Sequence, residues 1–156
     1  MSKISVLFVC LGNICRSPLG HGIFEHKLEQ KGIRDQFIVD SCGTGSWHIG
    51  NQPHEGSIDI AKKNGISIQD QQSRELEVSD FEDFDWIIAM DRQNFKDIKA
   101  LTGKECSAKI HLMREFDPFD TGMDVPDPYY SGGFEGVFEI IERSCEVLLE
   151  KILDES

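Results

Sequence analysis

The side chains best suited to chemistry lie near the N-terminus, where five residues separate Cys10 from Arg16. A cysteine beside an arginine and at the start of a helix is far more acidic than an isolated one, so we expect Cys10 to be a thiolate nucleophile. Five residues can curl into a semicircle whose amide groups point inward. Arg16 can then offer two parallel N–H groups to two oxygens of a phosphoryl group, which lysine cannot do.

The residue types in this segment favour a nest of amide groups around an anion. Gly12 and Asn13 tolerate the left-handed backbone that such a nest requires. The hydroxyl of Ser17 can donate a hydrogen bond to the thiolate, and Ser17 and Pro18 suit the N-cap and first position of a following helix. The predicted phosphate-binding loop consists of Leu11, Gly12, Asn13, Ile14, Cys15 and Arg16.

The elements around the loop predict an α/β fold. An apolar run at 4–9 predicts a strand buried on both faces, and a helix is predicted at 18–31. Open α/β sheets bind ligands at such strand ends, where a helix N-terminus attracts anions. The runs at 37–39 and 86–90 also predict strands buried on both faces, and a shorter strand is predicted at 109–113. The further predicted helices are 53–64, 92–101 and an amphipathic one over 134–152, with Gly32 and Gly65 at helix C-caps.

The composition excludes several classes of protein. A net charge of −12 argues against a nucleic-acid binder and against a protein that holds acidic membranes. No apolar run approaches the ~20 residues of a membrane helix, and we interpret 4–9 as a strand and not as a signal peptide. Five cysteines without a C-x2-C pair disfavour both a disulfide framework and structural zinc. We expect one cytoplasmic domain over 1–156, without metal or cofactor.

A second segment, 115–133, predicts a long ordered loop with a functional role. It contains four aspartates, three prolines and three glycines, and its aromatic residues argue against disorder. A loop carboxylate could supply a general acid for a nucleophilic cysteine. The residues alone leave that role open among Asp117, Asp120, Asp124 and Asp127.

The motif V-C-L-G-N-I-C-R-S-P, together with the distal D-P-Y-Y, resembles the low-molecular-weight protein tyrosine phosphatases over essentially the whole chain. The resemblance implies a single-domain three-layer sandwich with a four-stranded parallel sheet and helices on both faces. It implies that Cys10 attacks phosphotyrosine to form a phosphocysteine. Asp127 would protonate the leaving tyrosyl oxygen and then activate water, Arg16 would clamp the phosphate, and Ser17 would assist Cys10.

Other roles are also implied by the resemblance. Asn13 would support the strained loop, with Ser41 as its hydrogen-bond partner. Cys15 would trap an oxidised Cys10 as a reversible disulfide, which gives redox regulation. The partners would be tyrosine-phosphorylated proteins, with inorganic phosphate as product. The walls around the substrate ring would be Leu11, Ile14, Trp47, Tyr129 and Tyr130.

The sequence departs from the family pattern at two positions. Gln71 stands where many members have a histidine tied into the hydrogen bonds of the loop, so loop rigidity and pH response are expected to differ. His48 follows Trp47 where mammalian members carry asparagine, which is expected to shift substrate preference.

Three alternative functions remain open. A thiol-dependent arsenate reductase shares the C-x5-R loop but needs two further cysteines a few residues apart, whereas Cys106 and Cys145 are 39 residues apart. Phosphoarginine phosphatases resemble this chain but have threonine where Ile14 stands, and a branched apolar residue favours a phenyl ring. A non-enzymatic phosphopeptide-binding module would not need both Cys10 and Asp127.

Overall fold

Four parallel strands form one sheet at the centre of the molecule, in the order β2-β1-β3-β4. The computed structural model describes residues 3–103 and 106–156, apart from the side chains of residues 130 and 131. The predicted substrate wall at Tyr130 therefore lies outside the described side chains. The strands are β1 (Ile4–Cys10), β2 (Phe37–Gly43), β3 (Trp86–Ala89) and β4 (Lys109–Leu112).

Helices cover both faces of the sheet, which confirms the predicted three-layer α/β sandwich. The helices are α1 (Arg16–Gln30), α2 (Glu55–Lys63), α3 (Asp80–Asp83), α4 (Arg92–Thr102), α5 (Pro128–Ser131) and α6 (Phe134–Glu155). The long helices α1 and α6 pack against each other on one face, with α2 beside them, and α3 and α4 cover the other face. No helix of the described residues is both long enough and apolar enough to cross a bilayer.

The alternation of side chains along β1 builds a core on each side of the sheet. Val6, Phe8 and Cys10 face the layer of α1 and α6, whereas Leu7 and Val9 face the layer of α4, and all five are buried. Since successive side chains of a strand point to opposite faces, the apolar run is explained by burial on both sides. The same geometry directs Cys10, the last residue of β1, toward the N-terminus of α1.

Two predictions about local structure are wrong. Ile38 on β2 is 49% exposed, because β2 is an edge strand and is not covered on both faces along its whole length. Helix α1 begins at Arg16 with Cys15 as its N-cap, so Ser17 is not the cap and Pro18 is not the first residue. The Ser17 hydroxyl bonds to loop atoms and to a carbonyl of β2, and is therefore not available for capping.

The predicted loop at 115–133 is ordered around two short helical turns. A 3-10 turn spans Met113–Phe116, and Asp127 N-caps the short helix α5 by accepting a hydrogen bond from the Tyr129 N–H. Between them Val125 is buried and its N–H donates to the carbonyl of Met90. The loop is thereby anchored beside the end of β3, at the same edge of the sheet as Cys10.

Candidate active site

The loop after β1 turns its carbonyl groups away from its centre. Five of them accept hydrogen bonds of 2.6–3.0 Å from groups outside the loop. The pairs are Thr44 N–H to Cys10, Gly45 N–H to Leu11, the Ser73 hydroxyl to Gly12, His54 N–H to Ile14 and the Ser57 hydroxyl to Cys15. Because C=O and the next N–H of a trans peptide point in opposite directions, the N–H groups are directed inward.

The inward N–H groups form an anion-binding hollow at the start of α1. Among the described hydrogen bonds, none has the N–H of residues 12–15 as its donor. The side chain of the N-cap residue Cys15 does not cap the helix, so the N-terminus of α1 keeps its donors for a ligand. Convergent amides and the positive end of a helix dipole attract an anion of the size of phosphate.

Asn13 maintains the curvature of the loop. Its φ of 56° is the only positive value of a non-glycine residue in the described chain. Its Nδ2 donates to the hydroxyls of Ser17 at 2.7 Å and Ser41 at 3.0 Å, while its Oδ1 accepts the N–H of Arg74 at 3.0 Å. The left-handed backbone is stabilised by three bonds, and the expected contact between Asn13 and Ser41 is present.

The nucleophile candidate is held at the base of the hollow. Cys10 is 2% exposed, and its Sγ lies 3.0 Å from the Ser17 Oγ. Ser17 already accepts a hydrogen bond from Asn13, so its own proton is available for the sulfur or for the carbonyl of Cys42 at 3.3 Å. This geometry allows Ser17 to stabilise a thiolate, as the sequence predicts.

Arg16 is buried at the end of the loop, with part of its hydrogen-bonding capacity unused. Its Nη1 donates to Asp91 at 2.7 Å and to the carbonyl of Val125 at 2.9 Å, and its Nη2 lies 3.3 Å from Asp127 Oδ2. Its Nε is buried and has no partner among the described residues. Burial alone would lower the pKa of Arg16, but the charges of Cys10, Asp91 and Asp127 raise it. Arg16 is a fixed cation with donors left for a ligand.

Asp91 is a site residue that the sequence reasoning missed. It follows β3 and N-caps α4 in a capping box with Asn94, at 2.7 Å from Asp91 Oδ1 to the Asn94 N–H. Its other oxygen orients Arg16. The D-x-x-N spacing after a strand predicts a helix start, but no local signal connects it with an arginine 75 residues earlier.

The structure separates the four candidate aspartates. Asp127 Oδ2 faces Arg16 in the pocket. Asp117 is fully buried between Arg114 and Arg143, and Asp124 pairs with Arg92. Asp120 is exposed and lies near Arg114. Only Asp127 among the four lines the pocket above Cys10.

A pocket of about 320 Å³ opens above the loop. The pocket is lined by four of the predicted substrate walls, Leu11, Ile14, Trp47 and Tyr129. His48 also lines it, and its ring lies 6.0 Å from that of Tyr129. Trp47 is 71% exposed and Tyr129 is 50% exposed, so both rings are accessible to an incoming group. The sequence analysis does not predict His48 as a lining residue, although its position after Trp47 is a signal for it.

Cys15 lies in the same pocket in its thiol form. Burial, and next the charges of Cys10 and Asp127, raise its pKa to about 12. Cys15 is therefore a weak nucleophile in this state, since only a thiolate is a strong nucleophile. All five cysteines are free.

Gln71, which stands where many family members have a histidine bonded to the loop, has a different contact here. Its Nε2 donates to the Pro18 carbonyl in α1 at 3.1 Å and does not bond to the phosphate loop. The segment after Gln71 supports the loop through the Ser73 hydroxyl and the Arg74 N–H instead. Sequence reasoning missed both, because their contacts depend on how this segment packs beside the end of β2.

Comparison with known proteins identifies the family. The model of the family described as low molecular weight phosphotyrosine protein phosphatase matches residues 5–156. The chain belongs to this family. The low molecular weight protein-tyrosine-phosphatase YfkJ of Bacillus subtilis is 44% identical over 152 residues, which cover 97% of each chain. A low molecular weight phosphotyrosine protein phosphatase of Schizosaccharomyces pombe is 44% identical over 131 residues, or 83% of each chain.

Solved structures of this phosphatase family agree with the fold described above. The crystal structure of YfkJ superposes with a TM-score of 0.96 over 100% of this chain and 98% of that one. DARP, a drosophila arginine phosphatase, is 31% identical, with a TM-score of 0.88 over 94% of this chain and 96% of its own. The predicted family, fold class and activity are confirmed: the chain is a protein tyrosine phosphatase, a phosphoric monoester hydrolase.

Proposed function

We propose that Cys10 is the nucleophile of this phosphatase and that Arg16 and the loop amides hold the transferred phosphoryl group. The observation that carries the proposal is the hollow itself, with its outward carbonyls and with an Arg16 Nε that has no partner in the part of the chain that the structure describes. A phosphate that sits there has Cys10 Sγ beneath it, on the side opposite the pocket mouth. The phenolic oxygen then points outward, which is the in-line arrangement for displacement by sulfur.

We propose that Asp127 protonates the leaving tyrosyl oxygen and later accepts a proton from the attacking water. Its carboxylate is 3.3 Å from Arg16 Nη2 and lines the pocket mouth, where that oxygen would lie. Pro126 and Pro128 restrict its backbone, and capping of α5 fixes one carboxylate oxygen. A phenol has a pKa of about 10, so a positioned acid is worth about 10²–10⁴-fold in rate.

The pocket walls favour a flat aromatic substrate. The walls of the pocket form a slot that suits a phenyl ring and is lined by Leu11, Ile14, Trp47 and Tyr129. Each aromatic contact with such a ring contributes about 0.5–1.5 kcal/mol beyond its buried area. The resemblance to DARP keeps phosphoarginine as the second candidate substrate. Ile14 argues for phosphotyrosine, because its branched side chain offers no partner for a guanidinium. Tyrosine-phosphorylated proteins are therefore the proposed partners, and phosphate is the product.

We further propose that the enzyme acts in the cytoplasm and is reversibly inactivated by oxidation. Its five cysteines are unpaired, as is usual in a reducing compartment. Peroxide would oxidise the sulfur of Cys10 to a sulfenic acid, and the thiol of Cys15, which lines the same pocket, would condense with it to form a disulfide and release water. We expect no metal or cofactor to be required, because the amides and Arg16 provide the positive potential.

The experiment that tests these roles is hydrolysis of para-nitrophenyl phosphate and a phosphotyrosine peptide in EDTA. We expect the wild type to be active, Cys10→Ser to be inactive, and Asp127→Ala to lose about 10²–10⁴-fold on the peptide. Asp124→Ala serves as the matched control and should stay within about threefold of wild type, since Asp124 pairs with Arg92.

Three results would overturn the proposal: activity in Cys10→Ser, a requirement for metal, or an equal loss in Asp124→Ala and Asp127→Ala. A phosphoarginine peptide assayed in parallel tests the second substrate. Faster turnover of phosphoarginine than of phosphotyrosine would overturn the substrate assignment while leaving the roles of Cys10 and Arg16 in place.

A further inference from the structure

A second groove continues from the catalytic pocket along the other side of Trp47. We call it the side groove and define it by Leu11, Trp47, Glu75, Leu76, Asp97 and Leu101. Its volume is about 540 Å³, larger than the 320 Å³ of the catalytic pocket. Leu11 and Trp47 line both, so the two cavities are neighbours across the exposed indole.

The side groove has an apolar surface and a fixed frame. Leu76 is buried in its floor, while Leu101 on α4 is 43% exposed. The segment that carries Glu75 is bonded to the end of β2, through Gly43 N–H to the Arg74 carbonyl and Leu76 N–H to the Gly43 carbonyl, both 2.8 Å. The groove is therefore preformed, so an extended segment can bind without prior rearrangement.

The charge of the side groove is negative. Of the described residues that line it, Glu75 and Asp97 are acidic and none is basic. Glu75 makes no ion pair among the described residues, and Asp97 Oδ1 accepts a hydrogen bond only from the amide of Gln93 at 3.0 Å. An aliphatic surface with two carboxylates suits the stem and the cationic head of a lysine or arginine.

The net charge of the molecule disfavours the approach of a phosphorylated substrate, and an acidic groove that binds basic residues would offset this repulsion. A protein of charge −12 repels a phosphorylated segment at long range, and more strongly if that segment is acidic. Basic residues beside the phosphotyrosine would offset this repulsion. The negative charge of the side groove and its continuity with the catalytic pocket therefore indicate one occupant, which is a basic segment next to the phosphotyrosine.

We propose that the side groove binds the segment flanking the phosphotyrosine of the protein substrate, and selects one with lysine or arginine beside an aliphatic residue. This inference rests on the proposed phosphotyrosine activity and defines its substrate class. The phosphoryl group enters the hollow above Cys10, the tyrosyl ring passes Trp47, and the flanking chain turns over Trp47 toward Glu75 and Asp97.

The test compares kcat/KM for phosphotyrosyl peptides with lysine or with glutamate at each flanking position. At the position that reaches the groove, we expect wild type to prefer lysine by about tenfold, since each exposed charge pair contributes modestly. Glu75→Gln/Asp97→Asn should reduce this ratio to below about threefold. Hydrolysis of para-nitrophenyl phosphate should remain within about twofold, because its ring does not extend into the groove.

Glu150→Gln/Asp154→Asn is the matched control. It changes the net charge equally on exposed residues of α6, near its C-terminal end. We expect it to keep the lysine preference, which separates the groove from a general effect of charge. The preference of wild type should also decline at high salt.

The inference is overturned if wild type shows no preference, or if the groove and control variants change the ratio equally. A dimer that the groove variant abolishes, with the ratio unchanged, would assign the groove to a second copy of the chain and also overturn it. If the protein had no phosphotyrosine activity, para-nitrophenyl phosphate and all peptides would remain intact. This result differs from failure of the groove proposal, in which the substrates are hydrolysed without a lysine preference.

Discussion

Two buried arginine–carboxylate clusters lie beside the sheet, and they differ in how completely their hydrogen bonds are satisfied. Asp117 accepts four hydrogen bonds of 2.8–3.1 Å, from Arg114, the Phe119 N–H and both an Nε and an Nη of Arg143. Arg16 faces Asp91 and Asp127, yet its Nε has no partner among the described residues. The first cluster is complete within the protein, whereas the second leaves a donor for the proposed phosphoryl ligand.

The comparison explains why similar residues serve different purposes. A buried charge that is fully paired contributes to the folded state, and removal of its partner is costly. A buried donor left without a partner costs stability unless a ligand supplies the acceptor. We therefore expect changes at Arg16 to affect catalysis and changes at Asp117 to affect folding.

Among changes to the two clusters, the largest effect is expected for Arg16→Lys. Lysine keeps the charge but loses the planar fork, so at least two donors to the phosphoryl group disappear. Because one such donor is typically worth about 10²–10³-fold, kcat/KM for a phosphotyrosine peptide should fall by about 10³-fold or more. Steady-state kinetics measures this. A loss below about tenfold would mean that the fork does not clamp the phosphate.

Asp117→Asn should reduce the free energy of unfolding by about 3–5 kcal/mol, since it leaves two arginines beside a neutral amide. Urea denaturation measures this change. The specific activity of the folded fraction should stay within about threefold of wild type, because Asp117 does not line the pocket. A large loss of kcat with an unchanged free energy of unfolding would show that Asp117 serves catalysis and not folding, which contradicts the expected difference between the two clusters.

Asp91→Asn should give an intermediate effect. The 2.7 Å contact of Asp91 orients Arg16, and asparagine can still accept a hydrogen bond there and cap α4. We expect kcat to fall about tenfold, with a smaller loss of stability than in Asp117→Asn. An unchanged kcat would show that the Val125 carbonyl alone is sufficient to position Arg16.

Acid should weaken the Asp117 cluster over a defined range. Burial would raise the pKa of Asp117, but hydrogen bonds from Arg143, the Phe119 N–H and Arg114 lower it from 3.8 to about 2. A carboxyl group with a lowered pKa contributes stability above its ordinary value and loses it as pH falls through the folded-state value. The difference in unfolding free energy between wild type and Asp117→Asn should therefore shrink between pH 4 and pH 2.

The smallest effect is expected for Cys15→Ser without oxidant. Cys15 is a thiol at neutral pH, because its pKa is raised to about 12, so its replacement should change kcat by less than about twofold. After peroxide treatment and reduction, the variant should recover less activity than wild type, since Cys10 loses the sulfur that traps its oxidised form. Equal recovery in both proteins would exclude the proposed redox switch.

The parts of the fold that depend on local pattern were predictable. The run at 4–9 and the apolar spacing in α6 indicate their elements directly, because burial imposes periods of two and of about 3.6 residues. The exposed Ile38 was not predictable, because only the strand order shows that β2 is an edge. The start of α1 was misplaced because the Ser17 hydroxyl serves the loop and does not cap the helix.

The same distinction between local and long-range features applies to the site. The segment from Cys10 to Arg16 is continuous in sequence, so its chemistry could be predicted from residue types and spacing. Asp127 was separated from three other aspartates only by resemblance, whereas in the structure the four differ in their ion-pair partners. Asp91 and Arg74 escaped prediction because their contacts with Arg16 and Asn13 join distant parts of the chain.

We propose above all that a phosphoryl group is transferred to Cys10 in the hollow formed by the loop amides and Arg16. Rapid acid quench of Asp127→Ala mixed with a phosphotyrosine peptide, followed by mass spectrometry of the digested protein, tests this directly. We predict one phosphate on the peptide that contains Cys10, and none in Cys10→Ser/Asp127→Ala. Product release without any phosphorylated protein, or with phosphate on another residue, would contradict the account.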